Sequence, residues 1–387
     1  MEKIKSPNIP IMYATTIIGG MLFFLPVLAL YFEKSLFSIT NVAIIFSVEA
    51  IAIVIFEIPT GAIADLFGRR KTMIFSNLIV LCALVFLSIG GSMTMFVLYA
   101  ILNAFARSLT SGTDSALIYD SLKEENKEHL YKKIIGTYMA LWPLGASLGS
   151  IIGGYLAKIS LQLTVLASFI PILIIFVLSF FLKEPKYEKE NHQNILRHMF
   201  GAVKTILSNK QLIIIICTFL FMIALSEPLH LLDPLFFKYK NIPIEYFGWI
   251  SALTFAFSSL GFYLSHYLSE KIGNRNILIL VSILCPLFIL TATLNSGILL
   301  VVFWATSAIY FGIKNPVVSH LLNSQVNSSK RATVISINNF MGQLGTAAVL
   351  PLLGYFAELY NIQTAIQLSI LASLIIPIML LFIKEKK

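Results

Sequence analysis

The feature that most constrains this chain is a series of twelve apolar stretches, each long enough to cross a lipid bilayer as a helix. About 20 residues, rising about 1.5 Å each, span the roughly 30 Å of hydrocarbon in a membrane. Because a backbone in lipid must satisfy its own hydrogen bonds, the sequence predicts an all-α membrane protein with twelve transmembrane helices. These stretches lie at residues 8–32, 39–64, 72–91, 94–121, 131–157, 161–182, 211–236, 244–269, 275–295, 297–324, 332–357 and 361–383.

The composition excludes a soluble globular protein. The chain is 57% hydrophobic and 12% charged, which is more apolar surface than a compact soluble domain can bury. Its net charge of +9 comes from short basic runs between the apolar stretches, so we expect no nucleic-acid partner. If both termini are cytoplasmic, most lysines and arginines face the cytoplasm. We therefore predict a multi-pass protein of the inner (cytoplasmic) cell membrane, surrounded by lipid bilayer, with both termini inside.

A polar stretch and an internal repeat divide the chain into two halves. The stretch predicts a six-helix bundle at 1–182, a cytoplasmic linker at 183–210 and a second six-helix bundle at 211–387. Gly-Tyr-Leu-Ala at 154–157 matches Gly-Tyr-Phe-Ala at 354–357, and the loop at 65–70 matches the loop at 270–275. The order of these matches follows the order of the helices, so we predict a duplicated six-helix unit with a site between the halves.

The loop after the second stretch resembles a known signature. Residues 61–71 read Gly-Ala-Ile-Ala-Asp-Leu-Phe-Gly-Arg-Arg-Lys, similar to the Gly-x-x-x-Asp-x-x-Gly-Arg-Arg/Lys loop of the major facilitator superfamily, with Leu66 where a basic residue is common. The resemblance covers the whole chain and implies two pseudo-symmetric six-helix bundles that transport a solute by alternating access. It also implies a conformational latch, unless the loop is only a charged segment that sets topology. The latch residues would be Gly61, Asp65, Gly68, Arg69 and Arg70, with Asp120 as a partner.

A stripe of glycines on the fifth helix gives a second resemblance. Gly136, Gly145, Gly149, Gly153 and Gly154 form a small-residue stripe that allows close helix packing in lipid. The stripe resembles the glycine-rich antiporter motif of drug exporters in this superfamily, although the Gly-Pro pair of that motif is missing. It therefore favours export, with helix packing alone as the alternative.

Charged groups at membrane depth are functional candidates because each costs at least about 2.5–3.5 kcal/mol on insertion scales. We predict proton coupling by carboxylates, and the resemblance places helices one, four, seven and ten around a central cavity. The charges have two further interpretations, namely anchors for an anionic substrate or ion pairs that only hold helices together. The proton-coupling candidates are Asp114, Glu227, Glu49 and Glu57, and the cavity candidates are Arg107, His230, Lys314, Tyr138 and Trp142.

Local geometry adds two expectations. Arg107 and Asp114 are two helical turns apart, so we expect them to share a face of helix four at a separation of roughly 10 Å. Pro228 and Pro234 remove backbone donors, so we expect them to break the seventh helix and form a gate, with Asp233 near the external mouth.

The sequence contains no nucleotide-binding loop, metal motif or cofactor fingerprint, so we expect a protein that is not an enzyme and that draws energy from an ion gradient. We predict a monomeric, proton-coupled antiporter that exports a small drug-like or amphipathic metabolite. The alternative is a proton-coupled carrier of a small organic anion bound by Arg107 and Lys314. A membrane-embedded receptor or enzyme is the alternative of another class, but neither needs the repeat or the signature loop.

Overall fold

The computed structural model describes residues 5–185, 206–326 and 331–384, except for the side chains of residues 58, 59, 61–66 and 331–333. Within these ranges every regular element is helical, and twelve helices are long and apolar enough to cross a membrane, as the sequence predicts. They are α1 Asn8–Leu36, α2 Ile39–Phe67, α3 Arg69–Ile89, α4 Met93–Lys123, α5 Tyr131–Ile159, α6 Leu161–Ser179, α7 Lys210–Tyr239, α8 Phe247–Ile272, α9 Asn274–Leu294, α10 Gly297–Gln325, α11 Arg331–Leu359 and α12 Ile362–Leu380.

The chain forms two compact units. One contains Met1–Phe37, Val48–Asn191 and Pro243–Ala252, and the other contains Ser38–Ser47, His192–Ile242 and Leu253–Lys387. Each unit thus holds most of six helices together with the first turns of one more, α8 in the first unit and α2 in the second. The predicted division at a cytoplasmic linker stays a prediction, since residues 186–205 lie outside the described ranges.

The same helix pairs pack in both halves of the chain. In the first half α1 packs on α5 and α3 packs on α4 and α6, while in the second half α7 packs on α11 and α9 packs on α10 and α12. The internal repeat found in the sequence therefore recurs as a repeat of helix packing.

Glycines set the distance between α1 and α5. A Cβ atom on Gly149 would lie 2.6 Å from Met21 Cα, and Cβ atoms on Gly145 and Gly153 would collide with carbonyl oxygens of α1. Glycine at these positions therefore lets the two backbones touch. Around Met21 the helical hydrogen bonding of α1 is interrupted, and the freed N–H of Phe23 donates to Ser168 Oγ on α6 at 2.9 Å.

The structure corrects the expected position of a helix break. α7 runs without interruption from Lys210 to Tyr239 through Pro228 and Pro234, so the prediction that these prolines break it is wrong. Besides the interruption of α1, a break lies in α4, where a segment ending at Thr110 is followed by one starting at Thr113. Each proline removes only one hydrogen bond from a helix that its neighbours hold in place, whereas Gly112 has a φ of +79°, which an α-helix cannot contain.

Candidate functional site

The break in α4 separates two charged residues. Arg107 lies in the last turn of the segment before the break, and Asp114 lies in the first turn of the segment after it. The two residues are therefore not on one face of a continuous helix, and that prediction is wrong. Each charge opposes the partial charge at its helix end, since a cation suits the C-terminus of a helix and an anion suits the N-terminus.

A carboxylate on α2 binds the arginine of this break. Glu49 Oε1 accepts hydrogen bonds from Arg107 Nη1 at 3.0 Å and from Asn103 Nδ2 at 2.9 Å. The Glu49 side chain is only 13% exposed, whereas the Arg107 side chain is 62% exposed. The structure thus joins a proton-coupling candidate to a cavity candidate as an ion pair with one enclosed and one accessible member. Glu57 lies partly buried on the same helix, about two turns further along.

The aspartate of the break is bound from α5. Tyr138 Oη donates to Asp114 Oδ2 at 2.9 Å, and the hydroxyl of Ser115 donates to Asp114 Oδ1 at 3.3 Å. Among the described residues, neutral donors and no cation bind the Asp114 carboxylate. Trp142 lies one turn beyond Tyr138 on α5 and is 41% exposed.

Lys314 lies in an aromatic enclosure within the second unit. Its side chain is almost fully buried, and its Nζ atom lies 5.7 Å from the Phe219 ring, 5.4 Å from the Tyr310 ring and 4.7 Å from the Phe311 ring. Aromatic faces attract a cation, and the Glu227 carboxylate on α7 also acts electrostatically on this ammonium group. The predicted anion anchor is therefore enclosed by the protein's own side chains.

His230 forms a cluster with an acid and an indole. His230 Nδ1 lies 3.5 Å from Asp233 Oδ2 on the same helix, and Trp304 Nε1 on α10 donates to Asp233 Oδ2 at 3.4 Å. The His230 ring also packs on Phe311, with ring centroids 4.5 Å apart. His230 therefore belongs to a polar cluster with Asp233, which the sequence suggested only as a residue near the external mouth.

The signature loop forms contacts at the start of α3. Arg69 Nε lies 2.6 Å from Asp120 Oδ2, so these two predicted latch residues form an ion pair. Arg70 Nη2 donates to the carbonyl oxygen of Phe180 at 2.9 Å. The surroundings of Gly61 and the side chain of Asp65 lie outside what the structure describes, so the predicted role of these two residues in the latch stays a prediction.

A carboxylate that sequence reasoning missed completes this group of contacts. Glu184 accepts the backbone N–H of Arg69 at 2.7 Å and that of Arg70 at 2.9 Å, which caps the N-terminus of α3. Gly68 precedes them with a φ of +94°, and a Cβ atom there would lie 3.0 Å from the Glu184 carboxylate. The sequence feature that could have indicated this contact is an acidic residue directly before Pro185, just after the sixth apolar stretch.

Two further contacts occur at corresponding positions of the repeat. In the first unit Lys158 Nζ lies 2.9 Å from Glu245 Oε1, and a Cβ atom on Gly154 would lie 2.7 Å from the Glu245 carbonyl oxygen. In the second unit Glu358 accepts the backbone N–H of Thr40 at 3.1 Å, and a Cβ atom on Gly354 would lie 2.8 Å from Thr40 Cα. Each repeated Gly-Tyr-x-Ala segment is therefore packed against a helix start.

Comparison with known proteins gives consistent matches along the whole chain. The family model described as Major Facilitator Superfamily matches residues 11–243 and 231–387. The MFS-type transporter YxaM of Bacillus subtilis (strain 168) is 23% identical over 379 residues, covering 94% of this chain and 92% of that protein.

Solved structures of transporters share the fold. The nucleoside transporter NupG superposes with a TM-score of 0.79 at 15% identity, covering 98% of both chains. The xylose transporter XylE from E. coli, in an inward open conformation, gives a TM-score of 0.73 at 14% identity, covering 98% of this chain and 96% of that chain. A peptide transporter, POT, gives a TM-score of 0.74 at 13% identity, covering 97% of this chain and 94% of that chain.

Proposed function

Because the chain belongs to the Major Facilitator Superfamily, and is thus a multi-pass membrane transporter rather than an enzyme, we propose that it is a proton-coupled antiporter exporting a small drug-like or amphipathic metabolite. It would act by alternating access as a monomer in the cytoplasmic membrane, with both termini inside. The similar transporters carry nucleosides, xylose and peptides according to their names, so the proposed substrate class rests on residues of this chain.

The ion pair of Glu49 and Arg107 is the observation that carries proton coupling. A carboxylate at membrane depth is costly unless a cation or water offsets its charge, and here a largely exposed guanidinium provides the offset. A proton on Glu49 would cancel its charge and release Arg107, so proton binding and ion pairing compete for the same carboxylate. We propose Glu49 as the proton carrier, with Asp114 as a second acid because it is bound by neutral donors that suit either protonation state.

The surroundings of the two cations support an uncharged or cationic solute. Arg107 already binds Glu49, and Lys314 is enclosed by three aromatic rings, so each cation has a partner within the protein. An organic anion remains the second candidate on one specific observation, the 62% exposure of the Arg107 side chain, which leaves guanidinium donors accessible to a carboxylate solute.

The test uses full-length protein reconstituted in liposomes with an imposed pH gradient and a panel of amphipathic dyes. We expect dye to move opposite to protons, and a proton ionophore to abolish accumulation. Glu49→Gln should abolish the accumulation driven by the pH gradient while exchange of dye against dye continues. Glu124→Gln, which changes an exposed acid in the loop after α4, serves as the matched control and should transport normally.

Accumulation that persists after the pH gradient has collapsed would show that protons do not drive transport. The second candidate is tested separately with anionic solutes. If Arg107→Ala and Lys314→Met both retain full activity on an anion, that candidate fails, whereas loss in both variants would favour it over export of a neutral or cationic solute.

A further inference from the structure

The cluster of His230, Asp233 and Trp304 contains a carboxylate with one unbound oxygen. Asp233 Oδ2 receives the Trp304 N–H at 3.4 Å and lies 3.5 Å from His230 Nδ1. Asp233 Oδ1 is buried, and no donor in the described part of the chain binds it. A buried carboxylate oxygen without a donor costs free energy, so this atom is a place where a proton would be bound.

Aromatic rings pack around the indole that binds the carboxylate. Trp304 and Phe236 are fully buried, and their rings stack with centroids 4.9 Å apart. The Phe237 ring packs edge-to-face against the same indole, with ring centroids 5.6 Å apart. Asp233 and His230 nevertheless remain 16% and 19% exposed, so a proton can reach the pair.

A proline adds a further acceptor at this point of α7. Pro234 has no N–H, so the carbonyl oxygen four residues earlier, that of His230, loses its helical hydrogen bond. The cluster therefore combines two carboxylate oxygens, one such carbonyl oxygen and an imidazole, with the indole N–H as the donor from outside α7. It has more acceptors than donors, and an added proton would correct the imbalance.

The charged groups near the pair lie on its own helix and on the helices packed against it. On α7 itself Glu227 lies three residues from His230, less than one turn, and six residues or about 9 Å along the axis from Asp233, while the exposed Lys238 lies five residues beyond Asp233. From α10 come Lys314, whose Nζ lies 4.7 Å from the Phe311 ring that packs on His230, and His320, which lies six residues further along the helix. The described parts of α11 and α12 contribute one charged group, Glu358 near the end of α11. Lys240, beyond the end of α7, lies over Phe236 and donates to the carbonyl oxygen of Thr293.

We propose that His230 and Asp233 form a proton-binding site, which holds one proton between the imidazole and the carboxylate. Without that proton the pair carries a net charge of −1, and with it the pair is neutral. Apolar surroundings favour the neutral pair and water favours the charged one, so the site releases its proton when the cluster opens to solvent. Trp304 is a positioning residue, because its N–H fixes the carboxylate.

This site deepens the proposed function, and only its role in transport depends on proton-coupled export. In that role it would place a protonation site on α7 in addition to the one proposed at Glu49. Along α7, Glu227 lies between His230 and the level of Lys314. A proton bound at the pair of His230 and Asp233 is therefore one transfer, to Glu227, away from the interior of the second unit.

Proton binding can be measured without any solute. Trp142→Phe and Trp249→Phe leave Trp304 as the single tryptophan of the chain, and its fluorescence reports on the group that its N–H binds. We expect the emission of the purified full-length protein in detergent to change with pH through one step about two pH units wide, as a single site requires. Asp233→Asn and His230→Gln, which keep side-chain size, should each abolish the step.

Glu124→Gln is the matched control, since it removes an exposed carboxylate from the other unit and should leave the step in place. Size-exclusion elution and circular dichroism at neutral pH establish that each variant is folded. If the Trp304 emission of the single-tryptophan protein does not change with pH, the proposal is wrong, whatever the further variants show. A step that survives in both folded variants would overturn it as well. Either result leaves coupling at Glu49 intact, because no transport is measured.

Discussion

The close contact of α1 and α5 can be tested with one substitution at two positions of one helix. Gly149→Ala and Gly136→Ala both replace a glycine of α5 by alanine. A Cβ atom at 149 would lie 2.6 Å from Met21 Cα and 3.3 Å from the Leu22 backbone nitrogen, whereas a Cβ atom at 136 meets nothing within 4 Å. The two variants therefore differ in what surrounds the added methyl group.

The expected free energies follow from two opposing effects. Alanine is more favourable than glycine in a helix interior by about 1 kcal/mol, and this gain applies to both variants. At Gly149 the contact with Met21 is 0.8 Å shorter than the 3.4 Å at which ordinary contact begins. Both partners are backbone, so α1 and α5 must separate, and overpacking of this kind costs about 1–3 kcal/mol. The variants should thus differ in unfolding free energy by about 1–3 kcal/mol, with Gly136→Ala the more stable.

The assay is reversible unfolding of purified protein in mixed detergent micelles, supported by the thermal midpoint of each variant. We expect Gly136→Ala to be more stable than the parent protein and Gly149→Ala to be equally stable or less stable. Because the helix-propensity gain is common to both, their difference isolates the packing contribution. Equal shifts of the same sign in the two variants would refute the argument that the glycines of α5 are required for close approach.

Two further predictions concern the loops at the ends of α2 and α4. Gly68→Ala forces a side chain into a φ of +94° and ψ of 152°, which should lower the unfolding free energy by about 1–3 kcal/mol. Glu184→Ala should not restore that loss, since it removes the neighbouring carboxylate and not the strain. Hydrogen bonds from Lys127 Nζ and from the backbone N–H groups of Lys5 and Ser6 hold the pKa of Glu125 below its ordinary value of 4.5. This stabilisation is present above that value and is lost as pH falls through the lowered pKa, so hydrogen-exchange protection of the Ser6 amide should fall there, and Glu125→Gln should abolish that pH dependence.

Hydropathy and spacing predicted the twelve helices because each span is a local property of about 20 consecutive residues. The helix break could not be located in the same way. Proline is the usual sign of a break, yet α7 tolerates two prolines because its packing partners hold it. The break at Gly112 depends on a positive φ, and the sequence offered only a glycine among many.

The site was predicted as a set of residues and not as a set of contacts. Charge at membrane depth is visible in the sequence, so Glu49, Arg107 and Asp114 were all identified. Their partners were not, because Glu49 and Arg107 are 58 residues apart and only the packing of α2 on α4 brings them together. The ion pair of Arg69 with Asp120 was predicted through the family resemblance, whereas Glu184 lies in the polar stretch that was interpreted only as a linker.

The repeat explains why two contacts share a geometry but differ in chemistry. Lys158 and Glu358 occupy equivalent positions directly after the Gly-Tyr-x-Ala segments. Thr40 and Glu245 are also equivalent, because each lies 25 residues before the start of its matching loop, at 65–70 and 270–275. In the first unit the position holds an ion pair whose lysine is 63% exposed, so dissolved salt screens it. In the second unit the charge is a carboxylate that accepts three hydrogen bonds from Ser38 and Thr40 at a helix start, and such directional bonds depend less on ionic strength. Both copies of the repeat therefore keep the glycine that permits close approach, because any side chain at that position would collide with the backbone that the glycine contacts. The polar partners diverged because several chemistries satisfy the same geometry.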